Sequence, residues 1–208
     1  MAMFSALAFV TVIFSEFIPK VAGFLSYEPK DSIVVIAGLI FGPVYSLIIA
    51  IVVSFMELIT ISATGPIGFL MNVISTTAFA VPAVLFYRKN RTQKGAVIGL
   101  CIGIITMTAA MILWNYIITP LYMHVDRSQV VAMLLPVFLP FNILKGGLNT
   151  GLTLLLYKPV VTALRAANLA EQSDAQPGKA KFNAGFFAFS LALLVTFVLT
   201  FLAFAGVF

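Results

Sequence analysis

The sequence predicts an all-α integral membrane protein. The chain has 208 residues, of which 62% are hydrophobic and only 9% are charged. A soluble domain is nearer half apolar and a quarter charged, so this composition indicates a protein that resides in a lipid bilayer. The sequence shows no regular alternation of polar and apolar residues, and a helix satisfies its own backbone hydrogen bonds where water is absent. Helices are therefore the predicted spanning elements.

Seven apolar segments follow one another along the chain. Proline, glycine or charged residues lie between most of them, as expected where helices end. The segments are Met3 to Ile18, Ser32 to Phe41, Val44 to Ile61, Ile67 to Tyr87, Gly95 to Ile118, Val130 to Tyr157, and Ala184 to Phe208. Most of them approach or exceed the length of about 20 residues that a helix needs to cross the hydrocarbon core.

The second segment is too short to cross a bilayer alone. About ten helical residues extend only about 15 Å, half the thickness of a hydrocarbon core. Two arrangements fit the sequence. Either a short helix ends in a turn at Gly42-Pro43, or a single long helix over Ser32 to Ile61 is kinked at Pro43.

Basic residues predict the orientation in the membrane. The densest cluster, Arg88, Lys89, Arg91 and Lys94, lies between the fourth and fifth segments, and such clusters remain in the cytoplasm. With a turn at Gly42-Pro43, the N-terminus is inside, the C-terminus is outside, and the first loop is outside. The kinked alternative puts the first loop inside. In either case we assign the net charge of +5 to membrane orientation and not to nucleic-acid binding.

The sequence lacks the motifs of the common catalytic and nucleotide-binding sites. It has no G-x-x-x-x-G-K-[ST] loop for ATP and no H-E-x-x-H or Cys/His cluster for a metal. The single histidine, His124, lies in a predicted loop with no nucleophile beside it. We therefore predict a binding and translocating subunit, with no catalytic residues, no metal and no bound cofactor.

A lysine lies near the middle of the sixth segment. A charge at the centre of a spanning helix costs about 3 kcal/mol on insertion scales, so Lys145 must face a protein interior, a cavity or a ligand. Asn142 and Asn149 lie three residues before and four residues after it, on the same helix face. Two explanations fit: Lys145 donates a hydrogen bond to a ligand, or it packs between helices and pairs with an acid such as Glu57.

Three further features suggest binding surfaces. Asn115 lies near the outer end of the fifth segment, and its amide can donate to and accept from a flat heterocycle. The first loop, with the sequence FLSYEPKDS, is either a lid over a site or a solvated connection in which Asp31 or Ser32 caps the next helix. Ala2 and Ala6 have the small-xxx-small spacing that lets another helix approach closely.

Five pieces of the sequence resemble a known family. In order, they are YEPKD at 27–31, AGLIFGP at 37–43, VPAVLFYRKNRTQKGAVIGL at 81–100, WNYIITPLY at 114–122, and PFNILKGGLNTGLTLLLYK at 140–158. The chain is similar, over residues 1 to about 160, to the substrate-binding (S) components of energy-coupling-factor (ECF) vitamin transporters. Within that family it most resembles the riboflavin-specific branch.

The resemblance implies a six-helix S-component bundle that captures riboflavin at the outer face of a bacterial cell membrane. It also implies partners, namely a transmembrane coupling (T) subunit and two ATP-hydrolysing subunits, with riboflavin as the transported ligand. It implies ligand contacts at Asn115, Asn142, Lys145 and Tyr27, and a docking site for the T subunit at Ala2 and Ala6. Asn149, on the Lys145 face, and Thr64, a candidate for the ribityl hydroxyls, complete the expected substrate-binding residues.

The chain departs from the family pattern at two places. Residues 161–183 form a predicted cytoplasmic linker, and residues 184–208 form an additional transmembrane helix that the six-helix pattern lacks. Many riboflavin-binding relatives have Lys-Asn in the third helix, where this chain has Val53-Ser54 with Glu57 one turn later. An S component for another vitamin is therefore one alternative. A stand-alone secondary transporter that uses Lys145 and Glu57 as an ion relay is another.

Overall fold

The structure, a computed structural model, describes residues 1–62, 64–169 and 184–207. Within these residues it consists of helices joined by short connections. The helices are α1 (Ala2–Ser15), α2 (Lys30–Phe41), α3 (Pro43–Thr60), α4 (Gly65–Lys89), α5 (Gln93–Ile117), α6 (Thr119–Met123), α7 (Arg127–Met133), α8 (Leu139–Ala166) and α9 (Ala184–Phe204), and a π-helical turn, Leu134–Phe138, joins α7 to α8. The all-α fold class predicted from the sequence is confirmed.

Five helical stretches in the described part of the chain are long and apolar enough to cross a bilayer. They are α3, α4, α5, the continuous stretch Arg127–Ala166, and α9. The sequence marks several of the helix ends. Pro43 and Pro66 lie in the first turns of α3 and α4, where a missing N–H is tolerated, and the Thr92 hydroxyl caps α5 by accepting a hydrogen bond from the Gly95 N–H.

The connection between α2 and α3 is a turn. Gly42 has φ = 121° and ψ = 170°, a conformation that glycine adopts without steric cost. The two helices fold back on each other, because the Ser46 hydroxyl on α3 donates to the Val34 carbonyl oxygen on α2 over 3.2 Å. A side chain at Gly38 would overlap Ser46, so glycine is needed there for the close approach. The alternative of one long helix kinked at Pro43 is wrong.

The two ends of the bundle differ in character. The Arg88 guanidinium group lies against Gly42, so the α2–α3 turn and the basic α4–α5 loop share one end, which we name the basic end. The α1–α2 loop, the α3–α4 connection and α6 lie around a common cavity at the other end, which we name the cavity end.

The core lies along α2, α4 and α5. Val34, Phe79, Leu100 and Met107 are among its fully buried side chains. Glycines on α5 bring it against α4: a Cβ atom at Gly99 would lie 2.7 Å from the Ala83 carbonyl oxygen, and one at Gly103 would overlap that of Phe79. Small residues at helix interfaces allow this close packing where the surrounding lipid is as apolar as the side chains.

The predicted domain limits in the C-terminal part of the chain remain a prediction. α8 continues to Ala166, beyond the predicted boundary at residue 160, and most of the predicted linker, residues 170–183, lies outside the described residues. α9 lies within the predicted final segment and packs along α8, with the Phe197 ring over Gly147 and Leu194 over Gly151.

We predict that Gly103→Ala lowers the melting temperature of the purified protein. The new methyl group must displace the Phe79 backbone, and overpacking of this kind typically costs about 1–3 kcal/mol. The control is Ile105→Ala, which removes a side chain that is 68% exposed on the same helix. If Gly103→Ala unfolds at the same temperature as wild type in detergent, the close α4–α5 contact is wrong.

Candidate substrate-binding site

A cavity of about 360 Å³ opens at the cavity end. It lies between the α1–α2 loop and helices α3, α4, α5 and α8, and its volume falls within the range of small-molecule sites. Its lining combines apolar side chains with a small polar set. The polar lining includes Glu28, Glu57, Asn72, Asn115, Asn142 and Lys145.

Lys145 faces this cavity and is also paired with acids. Its side chain is only 6% exposed, and its Nζ lies 3.3 Å from a carboxylate oxygen of Glu28 and 3.5 Å from one of Asp31. The pairing with acids is therefore observed, and because the lysine also lines a cavity, a hydrogen bond to a ligand stays a prediction. The expected partner was wrong: Glu57 contacts another lysine.

That second lysine is Lys30, the first residue of α2. It is 1% exposed, and its Nζ lies 3.1 Å from Glu28 and in hydrogen-bond contact with Glu57. Asn72 on α4 donates to the other carboxylate oxygen of Glu57. Sequence reasoning missed both Lys30 and Asn72 as parts of the site. The available signal was the density of charge in EPKD directly before an apolar helix.

Asp31 completes this group, which we name the charge cluster: Glu28, Lys30, Asp31, Glu57 and Lys145. The Asp31 side chain is fully buried, and the Thr76 hydroxyl donates to its Oδ1 over 2.6 Å. The expectation that the end of the first loop is a solvated connection is wrong. So is the expected cap, because α2 begins at Lys30 with Pro29 at the capping position and no side-chain hydrogen bond there.

The charge cluster contains three acids and two lysines, which gives it a net charge of −1. Glu28 is central because it contacts both lysines. Burial alone would raise the pKa of Glu28, but the charges of Lys30 and Lys145 outweigh this effect and lower it to about 2. Glu28 is therefore ionised at neutral pH and holds the two lysines together across the loop, α2 and α8.

Asn149 lies one turn beyond Lys145 but does not line the cavity. It is fully buried, and its Oδ1 accepts a hydrogen bond from the Ser32 N–H over 3.2 Å. Its amide nitrogen donates to the backbone oxygens of Glu28 and Lys145, over 3.2 and 3.1 Å. Asn149 thus fastens the end of the α1–α2 loop and the start of α2 to α8.

Asn115 and Asn142 both line the cavity, as their positions on α5 and α8 predict. The Asn115 amide donates to the Met111 carbonyl oxygen over 2.7 Å and accepts from the Thr119 hydroxyl over 2.8 Å. The Asn142 amide donates to the carbonyl oxygen of Phe138, in the π-helical turn, over 2.7 Å. A side-chain amide has two N–H donors and two acceptor lone pairs, so these bonds use only part of its capacity.

The remaining predicted residues divide between the cavity and its surroundings. Thr64 lines the cavity, whereas Tyr27 does not. The Tyr27 ring packs against Phe201 of α9, with ring centroids 5.7 Å apart, and its hydroxyl has no hydrogen-bond partner among the described residues. Val53 and Ser54, where the sequence departs from the family pattern, are buried and do not line the cavity.

Comparison with known proteins identifies the family. The family model for the substrate-specific component of ECF transporters matches residues 1–157. The chain belongs to this family. It is accordingly a multi-pass membrane protein and a component of a transport system. α9 lies beyond the matched residues.

Relatives from three bacteria are named riboflavin transporters. RibU of Staphylococcus aureus (strain TCH60) is 30% identical over 79% of this chain and 89% of its own length. FmnP of Bacillus subtilis (strain 168) is 28% identical over 81% of this chain and 95% of its own length. RibU of Streptococcus thermophilus is 30% identical over 78% of this chain and 82% of its own length. A solved structure, described as the S component of a bacterial ECF transporter, superposes with a TM-score of 0.67 at 30% identity. The match covers 79% of this chain and 94% of the solved chain.

We predict that Lys30→Met strongly destabilises the protein and that Glu57→Gln added to it restores part of the loss. Removing one partner of a buried ion pair leaves an uncompensated charge and costs about 3–5 kcal/mol. The double variant removes the uncompensated acid as well, while a glutamine can still accept from Asn72. Melting temperatures of the two variants measure the effect. A double variant less stable than Lys30→Met would show that Glu57 is not balanced by Lys30.

Proposed function

We propose that the chain binds riboflavin in the cavity and supports its uptake into a bacterial cell. One observation carries this proposal: a cavity lined by Asn115, Asn142 and Lys145 occurs in a chain whose relatives are named riboflavin transporters. Riboflavin is the transported ligand in this proposal, and the chain holds no cofactor and carries out no reaction of its own.

The lining of the cavity suits the two parts of riboflavin. The flat ring system presents carbonyl oxygens, ring nitrogens and an N–H on its polar edge, and Asn115, Asn142 and Lys145 can donate to and accept from such an edge. Met111 and Phe141 supply apolar surface for the ring faces. The hydroxyl groups of the ribityl chain would contact polar groups at the mouth of the cavity.

In this proposal, Thr64 and Ser62 are the hydroxyl-bearing partners at the cavity mouth, and both line it. Tyr27 and Asn149 act indirectly, since neither reaches the cavity. Asn149 holds the backbone around Glu28, and Tyr27, in the α1–α2 loop, packs in an apolar core with Phe201. Both residues would therefore shape the wall that the ligand meets.

The proposed orientation puts the cavity end outside the cell and the basic end in the cytoplasm. The support is the basic cluster in and beside the α4–α5 loop, which follows the positive-inside rule and consists of Arg88, Lys89, Arg91 and Lys94. α1 runs toward the cavity, where Val12 and Glu16 contribute to its lining, so the N-terminus would be inside. α9 runs antiparallel to α8, so the C-terminus would be outside.

We propose that transport requires a transmembrane T subunit and two ATP-hydrolysing subunits. The sequence carries no ATP-binding loop of the Walker type, which fits a division of labour in which partners hydrolyse ATP. The proposed T-subunit docking surface includes Ala2 and Ala6, both of which are exposed on α1 next to exposed Met3 and Leu7. Small side chains flanked by larger apolar ones permit a partner helix to approach closely.

The alternative within the family is another vitamin as ligand. Glu57 favours it, since this acid lines the cavity one turn after Val53-Ser54. A stand-alone transporter with an ion relay from Glu57 to Lys145 is less well supported, because these two residues contact different partners in the charge cluster.

We predict that Asn115→Ala and Asn142→Ala weaken riboflavin binding by roughly five- to hundredfold each. Losing a hydrogen bond to a buried ligand group typically costs about 1–3 kcal/mol. Quenching of flavin fluorescence on titration into the purified protein measures the affinity. Asn90→Ala, an exposed asparagine at the basic end, is the matched control and should bind as wild type does.

Two outcomes would contradict this assignment. If both cavity variants bind riboflavin with wild-type affinity, the ligand is bound elsewhere. If wild type shows no quenching, a thermal-shift screen of other vitamins identifies the ligand, because a compound that binds only the folded state raises the melting temperature.

We predict that Ala6→Leu abolishes most ATP-dependent uptake while leaving riboflavin affinity unchanged. The larger side chain keeps the T subunit at a distance, but Ala6 lies on the outer surface, away from the cavity. Uptake by vesicles that contain all subunits and binding by the isolated protein measure the two effects. The matched control is Val10→Leu, a change at an exposed site on the same helix. Normal uptake with Ala6→Leu would exclude this docking surface.

A further inference from the structure

We propose that α9 positions the α1–α2 loop against the cavity through Phe201 and thereby slows release of the bound ligand. The ligand-release part of this inference rests on the proposed function, whereas the positioning part concerns the protein alone. α9 lies outside the residues that match the family, 1–157. The role of α9 is therefore inferred from the contacts that α9 makes in this chain.

The first observation is that α9 has one strongly buried apolar residue near its C-terminal end. α9 is otherwise mostly exposed, but the Phe201 side chain is only 3% exposed. Its ring packs against Tyr27, and the same cluster includes Val21 and Leu25 of the loop. Phe201 thus contributes to a small apolar core that joins α8, α9 and the loop.

The second observation is that the same loop forms a wall of the cavity. Gly23, Phe24, Leu25 and Ser26 line it on one side, and Glu28 adds a carboxylate that contacts Lys145. Leu25 belongs to both the cavity lining and the apolar core with Phe201. A change in how α9 supports the loop therefore reaches the cavity through the loop itself, in which Leu25 belongs to both groups.

The third observation is that α9 has a defined position along α8. Gly147 and Gly151 of α8 form a shallow track in which Phe197 and Leu194 of α9 lie. A Cβ atom at Gly151 would lie 3.0 Å from the Leu194 Cβ atom. This track determines the depth at which α9 packs, and Phe201 lies about one turn beyond Phe197, level with the loop. The packing of α9 on α8 therefore fixes the position of Phe201 relative to the loop.

The α1–α2 loop is held by contacts of two kinds, polar and apolar. On the cavity side, Glu28 and Asn149 hold its end to α8 by ion pairs and hydrogen bonds. Val21, Leu25 and Tyr27 also belong to an apolar core with Phe201 and residues of α8. In this proposal, a ligand that leaves the cavity toward the loop displaces the loop from its packing against Phe201. Packing by α9 opposes this movement.

The test compares Phe201→Ala with Leu199→Ala in the full-length protein. Leu199 is 54% exposed on the same helix, so its loss removes a similar apolar side chain without contact to the loop. Hydrogen–deuterium exchange of residues 20–28 reports loop opening without any ligand. Stopped-flow recovery of riboflavin fluorescence reports the rate of release. We expect faster exchange and a release rate raised about two- to tenfold for Phe201→Ala only, the range of an aromatic pair.

Tyr27→Ala and the double variant distinguish loop positioning from a general loss of stability. If Phe201 acts through Tyr27, the double variant should exchange and release ligand hardly faster than either single variant, because contacting residues are not additive. Single-variant effects on these rates that multiply in the double variant would overturn the proposed link between Phe201 and Tyr27.

Unchanged exchange of residues 20–28 in Phe201→Ala would overturn the positioning role. Faster exchange with unchanged riboflavin release would overturn the retention role. Wild-type protein that binds no riboflavin would contradict the proposed function, and loop exchange would still decide whether α9 positions the loop.

Discussion

The site depends on the neutralisation of two lysines that are buried in the bundle. Lys145 would be costly in the middle of a spanning helix without partners, and Lys30 is even less exposed. Glu28 contacts both, Asp31 contacts Lys145, and Glu57 contacts Lys30. Since these five residues come from the first loop and helices α2, α3 and α8, the charge cluster joins four parts of the chain at the cavity wall.

The charge cluster also explains why the loop before α2 is ordered in this position. The YEPKD segment, at the end of the loop and the start of α2, would ordinarily remain in solvent, yet its three charged side chains have partners within the protein. Asn149 adds hydrogen bonds to the backbone groups of Ser32 and Glu28 at this buried turn. The result is a cavity whose polar wall is largely preformed, which limits the ordering that a ligand must impose on binding.

α9 adds a second kind of support to the same loop. The charge cluster holds the loop through ion pairs and hydrogen bonds, whereas Phe201 holds it through apolar packing against Tyr27. α9 reaches this position because Gly147 and Gly151 lie on the face of α8 turned toward it. The sixth predicted segment thus has two distinct faces, with Lys145 and Asn142 toward the cavity and the glycines toward α9.

The sequence by itself determined the membrane class, the helical segments, the family, and the cavity positions of Asn115, Asn142 and Lys145. These follow from composition, helical periodicity and motif, which are local properties of the chain. Only the tertiary structure decided the turn at Gly42, the partners of Lys145, and the roles of Lys30, Asn72 and Phe201. Those features depend on which helices are neighbours, and a charge or an aromatic ring acquires its partner only when residues distant in sequence are brought together.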